Sequence, residues 1–263
     1  MYVSKKPIVL LSMQRSGTNF LRRIIGSHPA IDPLFGEIFD PSHIDEELSF
    51  FNFYQRLVAE SPSFCLPDKR ILAFEKYIEF LDRNVPSEHY VLDVKYNSIR
   101  QMESYWSREK EIFVQYIIDK QWPVIHLIRT DLVAAVFSHI RARQTGVWMT
   151  EKSDYCDTSS VIVDPVVVVN AIAQRRQAIQ RYRRSFQGAR LLELMYEDFM
   201  DGSNGVSEST VEQLGRFLNV TDRFSRVAKS RKLIIKPMSQ AIRNYGDVLE
   251  MAATRNVPLS VSV

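Results

Sequence analysis

Arg15, Ser16, Gly17 and Thr18 stand together directly after the apolar run at residues 8–11. A forked cation, two hydroxyls and a glycine in one turn can hold a tetrahedral anion. Glycine lets the backbone approach the ligand closely. If a helix starts at Thr18, its first N–H groups have no internal partner and carry the positive end of the dipole. Such a turn suits a phosphate or a sulfate. The stretch lacks the Gly-Lys-Ser/Thr of a Walker loop, so a Mg-nucleotide site is not the first reading. Further along the chain, Lys95, Arg129, Ser138 and Tyr196 add two cations and two hydroxyls.

These side chains need a scaffold to bring them together. Residues 8–11 read as a strand covered on both faces. Phe20, Leu21, Ile24 and Ile25 then fall at helical spacing, and Gly26 and Pro29 stop that helix. Further strands are expected at 90–97, 123–128 and 189–195. Helices are expected at 43–60, 71–81, 108–120, 132–143, 165–186 and 207–218, with a last one containing Ile242, Tyr245 and Val248. Asp131 is placed to cap the helix that carries Ser138. Gly36-Glu37 lies near where another sheet element could begin, and residues 144–164 form a long loop suited to a lid or acceptor element. His126, inside an apolar strand, reads as a core histidine, and His28, beside a proline, as a capping residue. The aromatic residues Phe50, Phe51, Phe53 and Tyr54 read as core or as the lining of an acceptor pocket.

Alternating strands and helices imply an α/β domain, a central parallel sheet flanked by helices. In such sheets ligands bind outside the carboxyl ends of the strands. Arg15, Lys95, Arg129 and Tyr196 all fall at or just after those ends. That convergence points to a polyanionic ligand lying across the sheet's edge.

Composition sets outer limits. The chain has 263 residues, 45% hydrophobic and 25% charged, with a net charge of +3. This describes an ordinary globule and gives no massed basic surface for nucleic acid. The two cysteines, Cys65 and Cys156, have no metal-ligand spacing, which favours a reducing, cytoplasmic location. No apolar run is long enough to span a bilayer.

The opening stretch resembles the 5′-phosphosulfate loop of sulfotransferases that use 3′-phosphoadenosine 5′-phosphosulfate (PAPS). Arg129-Thr130-Asp131 through Ser138 resembles their 3′-phosphate-binding segment. Gly36-Glu37 is similar to the pair that holds the catalytic base in tyrosylprotein and carbohydrate sulfotransferases. Val94-Lys95 with Asn97, Ala142-Arg143-Gln144-Thr145 before Trp148, and Tyr196-Glu197 resemble the bacterial nodulation-factor sulfotransferases. So do Ile235-Lys236-Pro237-Met238 and Arg243-Asn244-Tyr245. The resemblance implies one sulfotransferase domain over residues 1–263, with a P-loop-like nucleotide-binding fold. Departures are Asn19, where a second hydroxyl is common, and an Arg129-to-Ser138 spacing one residue longer than in cytosolic sulfotransferases. The Gly-x-x-Gly-x-x-Lys segment and the catalytic histidine of those enzymes have no counterpart.

The same resemblance assigns roles. Glu37 is the general base, and Lys95 and Arg15 stabilise the transferring sulfuryl group. Ser16, Gly17, Thr18 and Asn19 bind the 5′ side of the donor. Arg129 and Ser138 grip the 3′-phosphate, Tyr196 lines the nucleotide site, and Lys236 closes over it. PAPS is the co-substrate, 3′-phosphoadenosine 5′-phosphate the product, and no metal is needed. The acceptor is a hydroxyl on a carbohydrate or glycolipid. Two other readings fit the same cradle: a phosphotransferase using Mg-nucleotide, and a non-catalytic binder of 3′-phosphoadenylates.

Overall fold

The computed structural model of the protein describes residues 5–34, 36–102, 111–147, 160–199, 205–221, 224–227 and 237–261. Among them, five strands form one all-parallel sheet: β1 (Lys6–Ser12), β2 (Ile31–Asp32), β3 (His89–Lys95), β4 (Val124–Ile128) and β5 (Leu191–Met195). Their order is β2-β3-β1-β4-β5. The helices are α1 (Thr18–Ile25), α2 (Phe50–Glu60), α3 (Arg70–Asn84), α4 (Tyr96–Met102), α5 (Ile112–Asp119) and α6 (Leu132–Thr145). After them come α7 (Pro165–Ser185), α8 (Tyr196–Phe199), α9 (Glu208–Leu218), α10 (Met238–Ala241) and α11 (Tyr245–Thr254).

Side chains alternate across each strand, so one apolar run feeds two cores. Val9 and Leu11 of β1 join Leu92 and Val94 of β3 beneath α3, α5, α6 and α7. Ile8 and Leu10 join Val91, Ile125 and Leu194 beneath α1 and α9. Leu21 and Ile24 of α1 are fully buried in the second core. Each contributes about 1.5–3 kcal/mol as an upper estimate. The aromatic residues after the first loop belong to the first core. Phe39 and Phe50 meet edge to face at 5.0 Å, and Phe74 and Phe113 at 4.9 Å. Phe51, Phe53 and Tyr54 pack against that core.

The register makes the sheet's carboxyl edge flush. Ser12 lies opposite Lys95 on one side and Leu127 on the other, and Ile128 lies opposite Met195. The chain leaves β1 toward β2 and β3 on one flank, and later builds β4 and β5 on the other. The turn after β1 therefore sits where the two flanks diverge.

Several expected boundaries shift. Residues 43–60 are not one helix: a 3₁₀ turn at Pro41–His43 precedes α2, which starts only after Ser49 caps it by accepting from Asn52 N. The strand expected at 90–97 ends at Lys95, and Tyr96 and Asn97 open α4. The added sheet element is β2, ahead of Gly36-Glu37 rather than at it. Helix α6 runs two residues past 143, taking Gln144 and Thr145 from the expected loop, and ends at Gly146 with φ 70°. Asp131 caps α6 as expected, accepting from Ala134 N at 2.8 Å. His28 Nδ1 accepts from Ala30 N at 3.2 Å in the turn after α1. His126 is a buried core histidine between Tyr96 Oη and Glu193 Oε1. Lys236, Trp148 and most of 144–164 lie outside the described residues. No helix among the described residues is long and apolar enough to cross a membrane.

Candidate active site

The turn between β1 and α1 is held in a conformation that most side chains resist. Arg15 has φ 69° and Gly17 has φ 90°, both in the left-handed region. Ser16 and Thr18 are buried. Gly17 is the N-cap of α1, and no side chain among the described residues caps it there. The positive end of the α1 dipole thus faces the turn with no side-chain cap in front of it, which suits an anion. Tyr196 lies directly over this turn, so close that a Cβ on Gly17 would stand 2.5 Å from its ring carbons.

Three guanidinium groups surround the turn. Arg15 Nε donates to Ser138 Oγ at 2.9 Å. Arg129 Nη1 donates to the Arg15 carbonyl at 3.2 Å, and its guanidinium lies 5.1 Å over the Tyr196 ring. Arg175 Nη1, from α7, donates to the Gln14 carbonyl at 3.0 Å. Arg129 and Ser138, nine residues apart in sequence, thus meet through Arg15. Burial lowers the pKa of Arg15, and the neighbouring Arg129 lowers it further. Burial together with Arg129 and Arg15 brings Arg175 down to about 10. The cations destabilise one another, and a bound polyanion relieves that repulsion. The buried Nε of Arg129 makes no hydrogen bond, with Glu197 Oε1 4.0 Å away.

On the other flank, β3 brings a cation and one carboxylate to the same turn, and the loop after β2 brings a second carboxylate. Lys95 Nζ donates to Thr18 Oγ1 at 2.8 Å and to Asp93 Oδ1 at 2.5 Å. Glu37 Oε1 lies 3.6 Å from that ammonium. Arg22 of α1 holds the loop that carries Glu37, donating to the Gly36 carbonyl at 2.6 Å. Arg22 also donates to Asn19 Oδ1 at 3.2 Å, so Asn19 serves the Glu37 loop. Burial raises the pKa of Glu37; Lys95 opposes the rise, while Asp93 and Asp40 add to it. A carboxylate of raised basicity therefore stands beside an anion cradle, separated from it by one ammonium. That arrangement can accept a proton next to a group-transfer centre.

The profile of the sulfotransferase family matches residues 7–223, most of the chain and every site residue named above except Lys236. The chain belongs to the sulfotransferase family. It is a transferase. Nodulation protein H of Rhizobium meliloti is 22% identical over 250 residues, covering 92% of this chain and 90% of that protein. The sulfotransferase domain of the Synechococcus olefin synthase aligns with a TM-score of 0.43 and 15% identity over 96% of this chain and 95% of that one. A sulfotransferase from Alicyclobacillus acidocaldarius aligns with a TM-score of 0.46 and 12% identity over 97% and 98%.

This sulfotransferase brings Arg15, Ser16, Gly17, Thr18, Lys95, Arg129, Ser138, Tyr196 and Glu37 to one edge of the sheet. Among the described residues, no group of His, Cys, Asp and Glu is placed to hold a metal ion. Three residues at the site had no assigned role in the sequence. Arg175 is one, although it stands in the buried stripe of α7 with Val168, Ile172, Ile179 and Tyr182. An arginine at an apolar position of the 3.6-residue repeat was its signal. Glu197 is the second. Its carboxylate accepts from Thr130 N, Thr130 Oγ1 and Asp131 N at 2.9, 2.7 and 3.1 Å, and so fixes the loop that carries Arg129. Asp93, two residues before Lys95 and on its face of β3, is the third.

Proposed function

We propose that this sulfotransferase moves the sulfuryl group of PAPS to a hydroxyl of a carbohydrate or glycolipid by in-line displacement. The observation that carries the reading is the contact of Lys95 with both Thr18 of the anion turn and the Glu37 carboxylate. The acceptor oxygen attacks sulfur, and the bond from sulfur to the 5′-phosphate oxygen breaks. The leaving oxygen keeps the electron pair, giving 3′-phosphoadenosine 5′-phosphate. Glu37 takes the hydroxyl proton as general base. Arg15, Lys95 and the N–H groups at the start of α1 stabilise charge on the sulfuryl and leaving oxygens. Asn19 borders the 5′ side of the donor. Arg129, whose Nε makes no hydrogen bond, and Ser138 hold the 3′-phosphate, and Tyr196 walls the nucleotide against Gly17. Lys236 is assigned to the donor by the motif alone.

The acceptor class rests on likeness to the nodulation protein over most of both chains. A screen of glycan and glycolipid acceptors with labelled PAPS tests it. Glu37→Gln tests the base. Glutamine keeps the shape and loses the proton acceptor, so kcat should fall by about 10²–10⁴-fold with little change in donor Kd. Transfer within a few fold of wild type in single turnover would remove Glu37 from the mechanism.

A further inference from the structure

Asp93 and Lys95 are each 1% exposed, on the face of β3 that packs under α1. Asp93 Oδ1 takes one ammonium proton of Lys95 at 2.5 Å, and Thr18 Oγ1 takes a second at 2.8 Å. The third is left for the space between the turn and Glu37, whose Oε1 lies 3.6 Å away. Asp93 Oδ2 is buried with no hydrogen-bond partner. Such a pair is weak evidence for stability, because apolar residues of similar volume usually serve a core as well or better. Its position, one strand step inside the site's cation, calls for another account.

We propose that Asp93 is a positioning residue for sulfuryl transfer: it anchors the Lys95 ammonium at the turn and keeps it from closing on the Glu37 carboxylate. This rests on the reading of Glu37 and Lys95 given above. Asp93 shares the counter-ion role, so Glu37 remains 3.6 Å away and the third ammonium proton faces the transferring group. Without the Asp93 charge, Glu37 becomes the nearest carboxylate to a buried ammonium. The two then close from 3.6 Å to a short, direct hydrogen bond. The base loses basicity and the sulfuryl oxygens lose their cation, although neither residue has changed. The charged groups facing Glu37 all bear on this. Lys95 and Asp93 come from β3, Asp40 from its own loop and Arg22 from α1 through Gly36; His43 packs where a side chain on Gly36 would go. Of these carboxylates, Asp93 raises the basicity of Glu37 more than Asp40 does.

The test is a double-mutant cycle of Asp93→Asn and Lys95→Met. Single-turnover transfer of ³⁵S-labelled sulfate from PAPS to a saccharide acceptor is measured across pH, with thermal unfolding alongside. Asp93→Asn is expected to lower transfer by roughly 10²-fold and to move the acid limb of the rate profile to lower pH. The double variant is expected to transfer no worse than Lys95→Met alone, because Asp93 acts through Lys95. It should also be more stable than Asp93→Asn, since no buried ammonium is left without its fully buried counter-ion. A purely structural Asp93 predicts activity that follows stability and an unmoved acid limb, and that result overturns the proposal. So does transfer by Asp93→Asn within about threefold of wild type, or additive losses in the double variant. An impaired Lys95→Met beside a normal Asp93→Asn defeats this proposal and leaves the reading of the site standing. A normal Lys95→Met defeats the role of Lys95 and this proposal with it.

Discussion

Gly17 and Tyr196 share one volume: the ring of Tyr196 occupies the place where any larger residue at 17 would put its Cβ, at 2.5 Å. Gly17 is required twice, by this contact and by its φ of 90°. Gly17→Ala should lower stability by about 1–3 kcal/mol and weaken donor binding, because the turn must open to admit the methyl group. Adding Tyr196→Leu relieves the contact but not the dihedral, so recovery should be partial. Chemical denaturation and calorimetry with 3′-phosphoadenosine 5′-phosphate check both.

Arg129 reaches toward the turn with a buried Nε that makes no hydrogen bond. Arg129→Ala should cost about 1.5–3 kcal/mol of donor binding, the worth of a charge-assisted contact. It should also narrow the preference for PAPS over adenosine 5′-phosphosulfate, which lacks the 3′-phosphate. An unchanged preference in competitive calorimetry would take Arg129 out of the 3′-phosphate site.

Arg175 holds the Gln14 carbonyl one residue before the strained Arg15. Arg175→Met removes that donor and one of three crowded cations. Donor affinity should fall about tenfold, corresponding to roughly 1.4 kcal/mol. The unliganded protein should lose little stability, because relief of repulsion from Arg15 and Arg129 offsets the lost hydrogen bond. A large drop in Tm without any change in donor Kd would show a structural arginine instead.

Burial raises the pKa of Glu37 above the ordinary carboxylate value. A general base works deprotonated, so kcat should fall on the acid side through a pH higher than a free glutamate would give. The stability sign is the opposite. Between the unfolded and folded pKa values the native state binds more protons, so stability falls as pH rises through that window. Glu37→Gln should therefore raise Tm at neutral pH and leave it nearly unchanged at low pH, where both forms are neutral. A scan of Tm against pH for the two proteins decides this.

The strand, turn and helix at the start of the chain were legible because each rests on local pattern: four apolar residues, a glycine, then helical spacing. The strand-end positions of Lys95, Arg129 and Tyr196 followed from the same logic. Arg175 was not, because a helix arginine normally faces water and only its place in an apolar stripe marks it. The neighbours of Glu37 were equally hidden. Its approach to Lys95 depends on Arg22 fastening the Gly36 loop, a contact between segments that no periodicity connects. Boundaries moved where a cap prevailed over a hydrophobic run, as Ser49 delays α2, and where a helix follows a strand directly, as α4 opens at Tyr96.

The strand order has an evolutionary consequence. Glu37, Asp93 and Lys95 all precede residue 100, and Arg129, Ser138, Arg175 and Tyr196 all follow residue 120; in the sheet the two groups lie on opposite flanks of β1. The chain thus sets these two groups on either side of a seam, β1 and the donor-holding turn that follows it. Substitutions that retune the chemistry near Glu37 can accumulate in the loop after β2 while the turn that follows β1 and the guanidinium groups beyond residue 120 stay as they are. A lineage could change what it modifies without relearning how to hold its donor.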